Sequence, residues 1–226
     1  MLVQTQVGQQ QVSKGSNIPM RGGNLGDVII SELHGKFYEQ TYNGNMYSSG
    51  VGTPFTTAAA TYSTATLGAT ATPILGIWNP SSSTINAVIL QARLAIIMSS
   101  LTATGTSFSW CVSTGNGVIS TGTLPFNRKT LIQTGSQCKG LSNIALTGLT
   151  NNLVVMEGSA LFGGTPYNTS FVGTAVGAPP APAVAIDDIN GAIIIPPGGV
   201  LALLATTNNP VALSASTSLL WEEVPL

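Results

Sequence analysis

From Ile85 to Met98 the chain alternates with a two-residue period. Ala87, Ile89, Gln91, Arg93, Ala95 and Ile97 interleave with Val88, Leu90, Ala92, Leu94, Ile96 and Met98. The second set is wholly apolar and the first is mixed. Successive strand side chains point to opposite faces, so this pattern predicts a long strand. One of its faces is core, and the other is partly wet or covered by a partner. A helix would repeat every three to four residues, and no long segment does so with charge on its opposite side.

The rest of the chain agrees with an all-β fold. Asn43-Gly44, Asn116-Gly117, Asn190-Gly191 and Pro197-Gly198 are turn dipeptides placed between short runs rich in Val, Ile, Thr and Ser. From Asp27, Val28, Ile29, Ile30 and Leu33 form a first strand-like run, followed by Lys36 to Gln40. Residues 48–72 are small and polar and read as loop, with a weak strand near Thr61 to Leu67. Further strands are expected at Pro73–Trp78, Ser107–Ser113, Leu153–Phe162, Gly191–Ile195, Val200–Thr206 and Val211–Val224. In the Val200 strand, Leu201, Leu203 and Ala205 face one way. The turn at 114–117 predicts a hairpin from Ser107–Ser113 onto Val118-Ile119. Eight to ten such strands suit one two-sheet sandwich, and no repeat of fixed period points to a propeller or solenoid.

Two flanking segments differ. Residues 1–26 are rich in Gln and Gly with few large apolar side chains, and read as an extended N-terminal arm. Residues 27–226 form the single sandwich domain. Within it, 163–182 is a long loop rich in Gly, Pro and Ala, the kind that makes contacts.

Charge excludes several functions. Only 7% of the 226 residues are charged, against about 25% in ordinary domains, while 43% are hydrophobic. The chain therefore folds, and its surface is built from Ser, Thr, Asn, Gln, Gly and Ala. Such a surface has little charge repulsion and favours association. The net charge of −1 and the scattered Lys14, Arg21, Lys36, Arg93, Arg128, Lys129 and Lys139 supply no basic groove, so no nucleic-acid partner is expected. The N-terminus is polar and lacks a secretory apolar core. The Ile85–Met98 run is shorter than the ~20 residues of a membrane helix, so no export or membrane partner is expected.

Candidate chemistry is sparse. His34 is the single histidine, and with Asp27 it could serve a Ser-His-Asp set, but no Gly-x-Ser-x-Gly elbow accompanies it. One His and two Cys do not provide short-spaced metal ligands. Asp187-Asp188 and Glu222-Glu223 are adjacent pairs, whose side chains point apart on a strand. Asp187 to Gly191 faintly resembles a calcium loop but lacks the remaining ligands, and is read as a connecting turn. No phosphate-binding glycine loop is present, and Asn168-Thr169-Ser170 is a bare sequon. Cys111 and Cys138 are expected as two small buried thiols, with a pair between neighbouring strands as the alternative. Trp110 and Trp221 sit in apolar strands and read as core, whereas Tyr38 to Tyr47 reads as a contact stretch. No catalytic, cofactor-binding or metal residue is assigned, and the chain is read as a non-enzyme.

A family likeness follows from particular residues. Asp187-Asp188-Ile189-Asn190-Gly191-Ala192-Ile193-Ile194-Ile195-Pro196-Pro197-Gly198, then Leu201 and Leu203, then Ser218-Leu219-Leu220-Trp221-Glu222-Glu223, resembles the end of tailed-bacteriophage virion proteins. Gly35 to Tyr42 has the same character. The resemblance implies a jelly-roll-like antiparallel β-sandwich acting as a capsid cement or decoration protein. It would bind a major capsid protein or other virion proteins, as a homotrimer, in a virion assembled in the host cytoplasm. The alternatives are a receptor- or carbohydrate-binding module of a tail or head fibre, and a jelly-roll capsid protein itself.

Overall fold

The computed structural model describes residues 5–6, 20–21, 35–58, 60–61, 66–67, 72–99, 107–116, 119, 122–157, 183–207 and 212–226. Met1–Glu39 and Gln40–Leu226 form separate compact units. The first contains β1 (Thr5–Gln6) and β2 (Met20–Arg21), paired in parallel. The expected end of the arm at residue 26 and the 163–182 loop lie outside the described residues.

In chain order there follow α1 (Tyr38–Asn43), β3 (Met46–Ala58), β4 (Ala60–Thr61), β5 (Thr66–Leu67), β6 (Leu75–Trp78), β7 (Ile85–Ser99) and β8 (Ser107–Ser113). Then come β9 (Phe126–Asn127), β10 (Lys139–Gly140), β11 (Leu153–Glu157), β12 (Ala183–Asp187), β13 (Ile193–Ile195), β14 (Val200–Thr207) and β15 (Ala212–Pro225). One sheet has the order β12-β7-β15-β3-β9, with β13 also on β7. The other has the order β10-β6-β14-β8-β11-β5, with β4 on β14. Stripped of two- and three-residue pieces, these are two four-stranded sheets, β12-β7-β15-β3 and β6-β14-β8-β11. The chain crosses between them at every step but β8 to β11, closing two Greek keys. That is the jelly-roll sandwich.

The core lies between the sheets. Paired positions share a face, and the row Tyr47, Trp221, Ile89 and Ile193 crosses four strands entirely buried. Against it pack Leu75, Ile77, Phe108, Trp110, Leu201 and Leu203 of the other sheet. Trp110 and Trp221 are fully buried, as their strands imply.

A second apolar cluster joins Val200, Ala202 and Leu204, the opposite face of β14, to Trp78, Cys111, Ile119, Leu141, Leu146 and Leu153. β14 is thus buried on both faces, which is why its sequence carries no polar alternation.

Four expectations are corrected. The β7 alternation is not one pattern but two. Ile85, Ala87 and Ile89 point inward, yet beyond Leu90 it is Ala92 and Leu94 that do so. A bulge between Leu220 and Trp221 of the partner register inserts Leu90 and exchanges the faces. Next, residues 48–58 are not loop: they belong to β3, whose pairing with β15 outweighs the weak strand preference of Gly, Ser and Pro. Pro54 falls where the β3–β15 register breaks, so its missing N–H costs no ladder bond.

Third, Tyr38 to Asn43 is a helical turn. It ends at Gly44, whose φ of 84° suits a helix C-terminus, so Asn43-Gly44 caps a helix and does not join strands. Fourth, β8 has no free edge for the expected hairpin onto Val118-Ile119, of which Val118 lies outside the described residues. Both its edges are taken, by β14 and β11. Asn116 instead donates its backbone N–H to Gly198 O at 3.0 Å and accepts from Thr150 N at 2.9 Å, tying the strand end to the next turn.

Candidate interaction surface

The turn between β12 and β13 sits on the β7 bulge. Ala192 N donates to Ile189 O at 3.0 Å, and Asn190 and Gly191 between them have φ of 53° and 86°. These are the two left-handed positions of a type I′ turn, which Asn-Gly fills with least strain. Asn190 N and Gly191 N donate to Leu90 O and Ile89 O, both at 2.8 Å, so the turn clamps the bulge. The calcium-like segment is therefore a connector. Asp187 accepts from Trp110 Nε1 at 3.3 Å and Asp188 from Gln91 Nε2 at 2.5 Å. Among the described residues no three His, Cys, Asp or Glu side chains gather as metal ligands. His34, Asp27 and the 168–170 sequon lie outside the described residues. No helix among the described residues is long and apolar enough to cross a membrane.

Glu222 and Glu223 do point to opposite faces. Glu223 is buried, and its carboxylate accepts from Ser136 Oγ, from Gln137 N at 3.2 Å, from Trp221 Nε1 at 3.4 Å and from Cys138 N at 3.5 Å. These donors replace the water a carboxylate loses on burial. The set joins the 136–138 segment to β15 and exposes no reactive group. Sequence reasoning did not find this site, because its partners in the 136–138 segment lie 85 to 87 residues away.

Cys111 and Cys138 are both free and buried, in different clusters on the two sides of the second sheet. That separation removes the disulfide alternative. Burial pushes the Cys111 thiol up to about 12. It raises Cys138 as well, with the nearby Glu223 charge adding to the effect.

The outward surfaces of the two sheets differ. The sheet containing β14 is covered on its outer side by the second apolar cluster. The sheet containing β15 presents part of its outer face directly: Ile194 and Ile186 are more than half exposed, Val224 is exposed, and Val88 and Leu220 are half-buried, whereas Met46 on β3 is covered. Glu222 stands among these aliphatics, with Leu220 and Val224 beside it on β15 and Val88 opposite. Burial raises its carboxyl above the usual range. On the same face Arg93 Nε donates to Gln91 Oε1 at 2.7 Å.

At the edge next to β3, residues 127–132 form a tight loop. Asn127 Oδ1 accepts from Lys129 N and Thr130 N, its Nδ2 donates to Gly44 O, and its backbone N–H donates to Ile132 O. Exposed on this loop are Arg128, Lys129, Leu131 and Ile132, with Leu131 72% accessible. Tyr42 is 58% exposed beneath Lys129, whose Nζ lies 5.1 Å from its ring, whereas Tyr47 is buried and stacked on Trp221. The Tyr38–Tyr47 stretch is thus divided between surface and core.

Comparison with protein-family models, curated proteins and solved structures gives no match to this chain.

Proposed function

We propose that this chain is a structural subunit of a viral particle, a cement protein that binds a capsid lattice through several of its faces. The observation that carries the reading is the inequality of the two sheets. One is roofed by its own apolar layer, while the other turns Ile186, Ile194, Val224, Val88 and Leu220 outward. Aliphatic side chains on a sheet face gain by being covered, at about 25 cal/mol per Å² of area removed from water. A chain with only 7% charged residues puts little repulsion in the way. A lattice subunit meets this need by repeated contacts, each of standard size near ~1,600 Å².

The strand order favours a second reading of the same class. Jelly rolls with two Greek keys occur in viral shells, and also in lectins and cupins. The chain is then itself a shell-forming protein and not a cement bound to one.

Light scattering of the purified chain across concentration tests both. The cement reading expects a stable trimer, three times 23.1 kDa. Closed shells from the chain alone select the second reading. A strict monomer at every concentration removes both.

A further inference from the structure

The bare face and the 127–132 loop complement each other in chemistry. The loop carries Arg128 and Lys129 beside Leu131 and Ile132 and has no acidic residue. The face carries Glu222 and Asp188 beside Ile194 and Val224, with Arg93 further along it opposite Ile186. We propose that they bind each other between copies: the 128–132 tip of one subunit docks on the Glu222–Ile194 face of the next. This deepens the assembly reading and rests on it, since it names the partner as a second copy and the contact as head-to-tail.

The tip is built for presentation. Its backbone is closed by Asn127 N to Ile132 O and by Leu131 N to Asn127 O, both at 2.9 Å, and Arg128 N donates to Met46 O at 2.9 Å. Leu131 has φ of 61°. A bulky residue in the left-handed region is unfavourable, and Asn or Gly would relieve it. Leucine there gains nothing in an isolated subunit, where most of it faces water. It gains when another surface covers it.

The receiving face is equally specific. Glu222 is framed by Leu220, Val224 and Val88, with Ile194 paired to Val88 on the far side. A guanidinium brings several donors to a carboxylate while its flat faces lie on aliphatic neighbours. Geometry separates the tip from Ile194 within one copy, although Glu222 on β15 lies only two strands from β9, across Met46. The tip follows β9 at one edge, and Ile194 is on β13 beyond β3, β15 and β7. Four strand spacings are about 19 Å. A contact between two different surfaces is heterologous, and it closes into a ring when the rotation allows.

Two variants and their mixture test this, read by light scattering with circular dichroism as the folding control. Leu131→Asn removes the aliphatic anchor and relieves the backbone. It is expected to leave the fold intact and reduce the particle to a monomer. Ile194→Lys damages the face and is expected to do the same. An equimolar mixture pairs an intact tip with an intact face once only, so it should stop at a dimer of about twice 23.1 kDa. Wild-type mass retained in either variant, or no dimer in the mixture, overturns the proposal while leaving the cement reading in place. A wild-type chain that is monomeric throughout overturns both.

Discussion

The carboxylate of Glu223 accepts a hydrogen bond from the hydroxyl of Ser136, 87 residues earlier in the chain. Around that bond, Gln137 N, Cys138 N and Trp221 Nε1 converge on the same buried group. An anion held by neutral donors stabilises as long as every donor is aimed at it.

Glu223→Ala therefore leaves Gln137 N and Trp221 Nε1 without an acceptor, whereas Ser136 Oγ still reaches Cys138 O and Cys138 N still reaches Ser136 Oγ. The expected loss is about 3 kcal/mol, read as a lower urea midpoint at unchanged slope. Ser136→Ala removes one donor of four together with the 3.0 Å acceptor of Cys138 N, and should cost about 1 kcal/mol. Equal losses in the two variants would contradict the shared-acceptor account.

Gly50 and Gly52 lie two residues apart on β3 and should respond in opposite directions. A Cβ at Gly50 would collide with the Thr217 carbonyl, which is backbone and held in the ladder. Gly50→Ala is expected to destabilise by about 2 kcal/mol. A Cβ at Gly52 meets nothing within 4 Å. Gly52→Ala should stabilise by about 0.5 kcal/mol by restricting the unfolded chain. Thermal melts of both variants beside wild type check the pair.

Glu222 gives the isolated subunit a pH dependence. Its folded pKa is raised above 4.5, chiefly by burial, so the folded state holds the proton more firmly than the unfolded one. The contribution is fully present below 4.5 and is lost as pH rises through the folded value. Urea midpoints at pH 4 and pH 7 should fall further for wild type than for Glu222→Gln. A difference that is constant with pH would remove Glu222 as the cause.

The thiols should be silent in the native protein. With Cys111 pushed up to about 12 and both sulfurs buried, little thiolate forms near pH 8 and reagent has no access. A colorimetric thiol assay is expected to count none in buffer and two in denaturant. One fast-reacting thiol in buffer would contradict the burial.

The all-β class and several elements were legible from local pattern. Ser107–Ser113 alternates Phe108 and Trp110 against serine, and Asn190-Gly191 and Pro197-Gly198 carry the turn chemistry found there. The opposite directions of Glu222 and Glu223 follow from strand geometry alone. The candidate interaction surface was visible only as a mixed face of β7 and a scatter of basic residues.

What local pattern lacked was register. Leu90 exchanges the faces of β7 because its partner strand has one residue fewer at that point, and nothing within Ile85–Met98 records that difference. β3 is a strand because β15 lies beside it, even though Gly50, Gly52 and Pro54 each read as loop. The Glu223 donors, the separation of Cys111 from Cys138 and the grouping of Ile194 with Glu222 all depend on strands far apart in sequence. Side-chain period is a property of one segment and its sequence determines it. Which segment lies alongside is set by burial summed over both sheets, and only the folded chain decides that.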